Sequence, residues 1–138
     1  MARVLVVDDN HDACELLARI LRRIGHDAAC QSTARGALAH LRSNPAPDLI
    51  ILDIMMPEMT GLDLLKAVRA DPATAAVAVV VYTALADEKT CNEAVRLGAN
   101  GYVVKGSGWT DLQAEVQKYV GLSPAGSNVP GSAPVPED

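Results

Sequence analysis

Phenylalanine is absent from this chain, and its aromatic complement is one Trp and three Tyr. A core built on stacked rings is thereby excluded. It must come from Val, Leu, Ile and Ala, whose small side chains suit close packing of helices on a sheet. No run of Lys or Arg occurs and the net charge is −5, which argues against a nucleic-acid-binding surface. The three cysteines, Cys14, Cys30 and Cys91, are odd in number and lack CxxC spacing, so neither a disulfide framework nor a zinc site is expected. That usage suits a reducing cytosol. The longest apolar run, residues 75–82, falls far short of the ~20 residues that span a bilayer. Met1 leads straight into a strand pattern with no signal peptide before it. The expectation is a cytoplasmic domain without a membrane partner.

What is present is a chain of 138 residues, 49% hydrophobic and 21% charged, long enough for one domain with a real core. Its organising stretch is PDLIILDIMMPEMTG, residues 47–61, in which a continuous apolar strand runs into Asp53 and then a proline-containing loop. A strand without polar alternation is covered on both faces, as in parallel sheets flanked by helices. Further apolar strands are expected at 3–7, 27–30, 77–82 and 101–104. Helical periodicity separates them. Ala13, Leu16, Leu17, Ile20, Leu21 and Ile24 form one stripe of a first helix that Gly25 stops, and Asp9 or Asn10 can cap it. Later helices are expected from Ser32 or Thr33 to about Arg42, from about Leu62 to Asp71, from Asp87 to Gly98, and over 111–120. The alternation predicts an α/β doubly wound domain over residues 1–122. Residues 123–138, rich in Pro, Gly and Ser, read as a disordered tail.

In open parallel sheets, ligands sit beyond the carboxyl ends of the strands. Here those ends carry Asp8 and Asp9, then Asp53, Thr83 and Lys105. Singly, each has an ordinary explanation: a helix cap, a solvated strand end, a turn hydroxyl, a surface charge. Jointly they are complementary. Three carboxylates at one edge repel, and a hard cation such as Mg²⁺ resolves the conflict with oxygen ligands. Lys105 adds a fixed positive charge and Thr83 a hydroxyl donor, a set able to hold a phosphoryl group in flight.

The motifs VVDDN, LIILDIMMPEMTG, VVVYTA and GYVVKG, in that order, resemble the receiver domain of two-component response regulators over about residues 3–120. The resemblance implies a flavodoxin-like (βα)5 fold with a five-stranded parallel sheet in strand order 2-1-3-4-5. It implies that Asp53 is the phosphoacceptor. Mg²⁺, or Mn²⁺, would be held by Asp8, Asp9, Asp53 and the Met55 backbone carbonyl. Thr83 and Lys105 would engage the phosphoryl group, and Tyr102 would be the aromatic that reports the active state. Pro57 and Gly61 match the loop beside Asp53. The implied donor is a histidine kinase or histidine phosphotransfer protein, with the first helix as docking surface, its Leu and Ile stripe buried. The implied output is a change in the face made by the fourth helix, fifth strand and fifth helix. That face serves binding of a protein target or onward phosphotransfer, as a monomer or a phosphorylation-dependent dimer, in a stand-alone receiver that is a signalling protein rather than an enzyme.

Two departures stand out. Receivers usually follow the lysine with proline, whereas Gly106 stands here, which predicts a more mobile loop over 106–108. Met55 and Leu85 are apolar where a polar side chain could position water, which predicts slow loss of the phosphoryl group. Alternatives are an aspartate-nucleophile phosphatase, disfavoured because Met55 replaces its usual second acid, and a receiver-fold binding module that is never phosphorylated. His11, His26 and His40 lie on different elements and suit surface or capping roles better than metal binding.

Overall fold

A computed structural model of the protein describes residues 2–55, 59–85, 87–106 and 109–120. Pro57, residues 107–108 and the 123–138 tail, each the subject of an expectation above, lie outside the described residues. Strands and helices alternate strictly: β1 (Arg3–Val7), α1 (His11–Arg23), β2 (Asp27–Gln31), α2 (Ala34–Ser43), β3 (Leu49–Leu52), α3 (Gly61–Ala70), β4 (Ala78–Thr83), α4 (Glu88–Arg96), β5 (Gly101–Val104) and α5 (Trp109–Val120). The five strands form one parallel sheet in the order β2-β1-β3-β4-β5, as expected.

The sheet sorts its side chains by the period of two. Val4, Val6, Leu49, Ile51 and Val80 pack with α1 and α5 on one face. Leu5, Val7, Ile50, Leu52 and Val79 pack with α2 and α3 on the other. Ala94 of α4 meets Val81 and Ile54 in a smaller apolar group beside them. Both faces are covered, which is why β1 and β3 read as unbroken apolar runs. Three helices that follow functional strand ends begin on side-chain caps. Asn10 accepts the Ala13 N–H, Thr60 and Asp63 form a capping box, and Asp87 accepts the Thr90 N–H. Each such cap stabilises its helix by about 1 kcal/mol. Together they fix where the loops at the carboxyl edge of the sheet end.

Two expectations need correction. The buried stripe of α1 is Cys14, Leu17, Ala18 and Leu21, while Leu16 is 56% and Ile24 44% exposed. The helix is rotated relative to the apolar count because Cys14 and Ala18, small enough to sit on β1 and β2, face the sheet in place of larger side chains. The expected absence of a disulfide is also overturned. Cys14 and Cys30 form one, with a Cα–Cα distance of 5.8 Å, joining the first turns of α1 to β2 across 16 positions of sequence. Cys91 is free. An odd count hides one bridge as easily as none.

Unreduced, denatured protein is expected to yield one reactive thiol per chain, and three after reduction. Closing a loop of this length stabilises the folded state by about 3 kcal/mol in the chain-entropy account. Urea unfolding with and without reductant should therefore differ by up to that amount, whereas equal midpoints and three thiols at the outset would contradict the pairing.

Candidate functional site

The ladder of the sheet continues past the strand ends through three backbone bonds. Asp8 N–H reaches the Gln31 carbonyl at 3.2 Å, Asp53 N–H the Val7 carbonyl at 2.9 Å, and Lys105 N–H the Thr83 carbonyl at 2.7 Å. The charged residues therefore leave one edge together. Asp8 and Asp53 are buried and Asp9 is exposed, yet a carboxylate oxygen from each lies within 4.8 Å of the others. Lys105 Nζ donates to Asp8 Oδ2 at 2.6 Å and to Asp53 Oδ2 at 3.0 Å. Asn10 N–H serves Asp8 Oδ1 at 2.9 Å, and Met55 N–H serves Asp53 Oδ1 at 3.0 Å. Each buried carboxylate thus has one oxygen on a backbone amide and one on the ammonium, the charge-assisted arrangement that makes its burial tolerable.

Burial pulls the Lys105 ammonium toward the neutral form, but its hydrogen bonds to Asp8 and Asp53 and their charges outweigh that, holding its pKa above the ordinary lysine value. Nζ also lies 5.7 Å from the centroid of the Tyr82 ring. Tyr82 escaped the sequence reading because the alternation of β4 sends it to the face opposite Thr83, where it reads as a core aromatic.

Thr83 is completely buried, and its Oγ1 accepts the Leu85 N–H at 3.4 Å. The Leu85 carbonyl in turn accepts the Tyr102 hydroxyl at 2.7 Å. Tyr102 is half-buried; burial raises its pKa, with the negative charges of Cys91, Asp87 and Asp53 adding to it, so the phenol stays a donor. Thr83 and Tyr102 are therefore linked through one residue, Leu85, whose N–H serves the first and whose carbonyl serves the second. The Leu85 side chain packs beside Ile54, Val81 and Ala94, while Met55 is 51% exposed.

Gly61 is fixed by contact. A Cβ there would stand 2.3 Å from the Asp53 carbonyl oxygen and 2.6 Å from Ile54 Cα, so only glycine lets α3 begin against this loop. Gly106 has φ +98° and open space where a Cβ would be, a backbone state that proline, locked near −65°, cannot adopt.

The sequence profile of the family described as "Response regulator receiver domain" matches residues 4–117. The chain belongs to this family. The receiver is 35% identical over 120 residues to the regulatory protein AtoC of Escherichia coli, a match covering 87% of this chain and 25% of AtoC. It thus spans about a quarter of that relative's length. Among solved structures it resembles chemotaxis protein CheY4 of Vibrio cholerae, with a TM-score of 0.81 and 29% identity over 87% of this chain and 99% of that one. It also resembles the Mn²⁺-bound form of response regulator Rcp1, with a TM-score of 0.73 and 25% identity over 86% and 91% of the two chains. Membership makes it a module of two-component signalling with a family-typical acidic pocket. No helix among the described residues is long and apolar enough to cross a membrane.

Since the Lys105 pKa is raised on folding, its stabilising effect is whole below its unfolded value of 10.5 and is lost as pH climbs through the higher folded value. Lys105→Met is expected to cost about 2 kcal/mol or more in metal-free buffer, because two buried carboxylates lose their counter-ion. Urea titrations from neutral pH upward should show this gap constant to about pH 10 and shrinking above it. For Gly106→Ala the expected cost is about 1 kcal/mol of backbone strain, read as a lowered melting temperature.

Proposed function

We propose that Asp53 is a phosphoacceptor that takes a phosphoryl group from a phosphohistidine of a histidine kinase or histidine phosphotransfer protein. The observation that carries this is Lys105 held between Asp8 and Asp53 at the sheet edge. Asp53, fixed through both oxygens, presents a carboxylate nucleophile in one orientation. An Asp53 oxygen bonds to phosphorus, the donor's P–N bond breaks, and the imidazole leaves with a proton from solvent. The Lys105 ammonium then turns from neutralising carboxylates to neutralising phosphoryl oxygens.

Three carboxylates within reach of one another are a hard, all-oxygen donor set that fits Mg²⁺ or Mn²⁺. Asp8, Asp9, Asp53 and the Met55 backbone carbonyl would hold it, and such an ion supplies positive charge to the phosphoryl oxygens. The Mn²⁺-bound relative supports this choice.

Output follows from the backbone of Leu85. Thr83, drawn toward the phosphoryl group, gives up its 3.4 Å contact with Leu85 N–H, which frees the loop whose carbonyl holds Tyr102. The change passes to the α4-β5-α5 face, where a protein target docks or a phosphorylated dimer forms. On the donor side, a groove of about 500 Å³ runs from Asp8 and Lys105 past Leu16 and Ile20 of α1 to Leu112 of α5. The exposed Leu16 beside the acids suits a helical donor. This reading sets the module in the cytoplasm, where such kinases deliver phosphate.

Incubation with a small phosphodonor and Mg²⁺ is expected to give stoichiometric, base-labile label that Asp53→Asn abolishes. Continuous phosphate release would instead favour a phosphatase, and no label an idle binding module. Met55→Asn, which sets an amide beside the nucleophile, is expected to speed decay of the label several-fold, while an unchanged lifetime would remove Met55 as its determinant.

A further inference from the structure

Beside the acidic rim but sharing no residue with it, His11 and Glu15 stand one turn apart on the same face of α1, and Cys30 lies opposite them on β2. One donor atom from each, an imidazole nitrogen, a carboxylate oxygen and a sulfur, falls within 4.8 Å of the other two. His11 is exposed and the other two are half-buried, so an ion can reach all three from solvent. We propose that these residues form a second metal site, for a borderline divalent ion of the Zn²⁺ type, available only while the Cys14–Cys30 bond is reduced.

The donor set makes the distinction. Mg²⁺ takes oxygen ligands, whereas nitrogen with thiolate selects Zn²⁺ and its neighbours. Three protein ligands with a water in the fourth position is a familiar zinc arrangement, and tetrahedral ligands at zinc distances stand about 3.5 Å apart. Rotamer adjustments of roughly 1 Å, chiefly in the exposed His11, close that gap. One thiolate and one carboxylate also neutralise the ion's charge.

Cys30 cannot serve both uses, because a disulfide sulfur has no charge to donate. Opening the bridge takes two electrons and two protons from a dithiol, which ends as its own disulfide while Cys14 and Cys30 become thiols. The buried Cys14 is provided for in that state: its sulfur lies 3.4 Å from the Val6 carbonyl oxygen and 3.7 Å from that of Gln31, both acceptors for a thiol hydrogen. Cys30 is left half-buried beside His11 and Glu15, and metal binding displaces its proton to solvent. Both halves of the site adjoin Asp8. The amide of Asn10, next to His11, donates to Asp8 Oδ1, and the carbonyl of Gln31, next to Cys30, accepts the Asp8 N–H.

Co²⁺ is the probe, because a thiolate ligand gives it a near-ultraviolet charge-transfer band that oxygen ligands do not. The experiment uses a Cys91→Ser background with saturating Mg²⁺, and a phosphine reductant, which does not chelate as a dithiol would. Reduced protein is expected to bind one equivalent of Co²⁺ with that band, and unreduced protein to show none. Cys14→Ser should bind without reductant. Cys30→Ser should lose the band, and His11→Ala or Glu15→Gln should weaken binding by at least about tenfold. A missing band in both reduced protein and Cys14→Ser overturns the proposal, as does a band indifferent to His11→Ala and Glu15→Gln. Phosphodonor labelling of Asp53 in the same samples reports separately on the acidic rim.

Discussion

The ammonium of Lys105 between two buried carboxylates is the interaction on which the rest depends. Carboxylate oxygens within 4.8 Å of one another repel by at least about 3 kcal/mol per pair at an effective dielectric of about 20. Domains of this size have a net stability of only 5–15 kcal/mol. Three such acids at one edge would therefore consume a large share of it. A single cation touching two of them offsets the cost and leaves the third, Asp9, to water. The compensation is partial: three carboxylates face one ammonium, which leaves net negative charge at the edge.

That arrangement needs a parallel sheet. With all five strands running the same way, every carboxyl end falls on one side, and residues far apart in sequence meet there without any dedicated binding loop. Lys105 and Asp8 are separated by 97 positions and joined by one hydrogen bond of 2.6 Å. Burial of β1, β3 and β4 on both faces makes their register hard to slip, because a one-residue shift would exchange the two apolar faces. Precision at the rim is thus inherited from packing well below it.

Much of this could be read from residue order. Apolar runs ending in Asp8, Asp53, Thr83 and Lys105 announced both the sheet and the edge at which these residues leave it, since strand burial and strand ends are local properties. What escaped was relational. The Cys14–Cys30 bridge depends on α1 lying across β1 onto β2, which no spacing rule encodes. The rotation of α1 arose because burial selected small side chains at Cys14 and Ala18 over the larger Leu16. Tyr82 hid in a strand that looked like core, and the meeting of His11 with Cys30 joins two elements that sequence reading had treated separately.

The contact of Gly61 with the Asp53 backbone has a consequence for how this module can vary. Since the amino end of α3 abuts the very peptide that carries the acid, any methyl group introduced there must push the two apart by about an ångström. The lever arm is short, and the carboxylate would swing away from its ammonium. A buried position with no side chain thereby governs the aim of the Asp53 carboxylate as firmly as the charged residues in front of it.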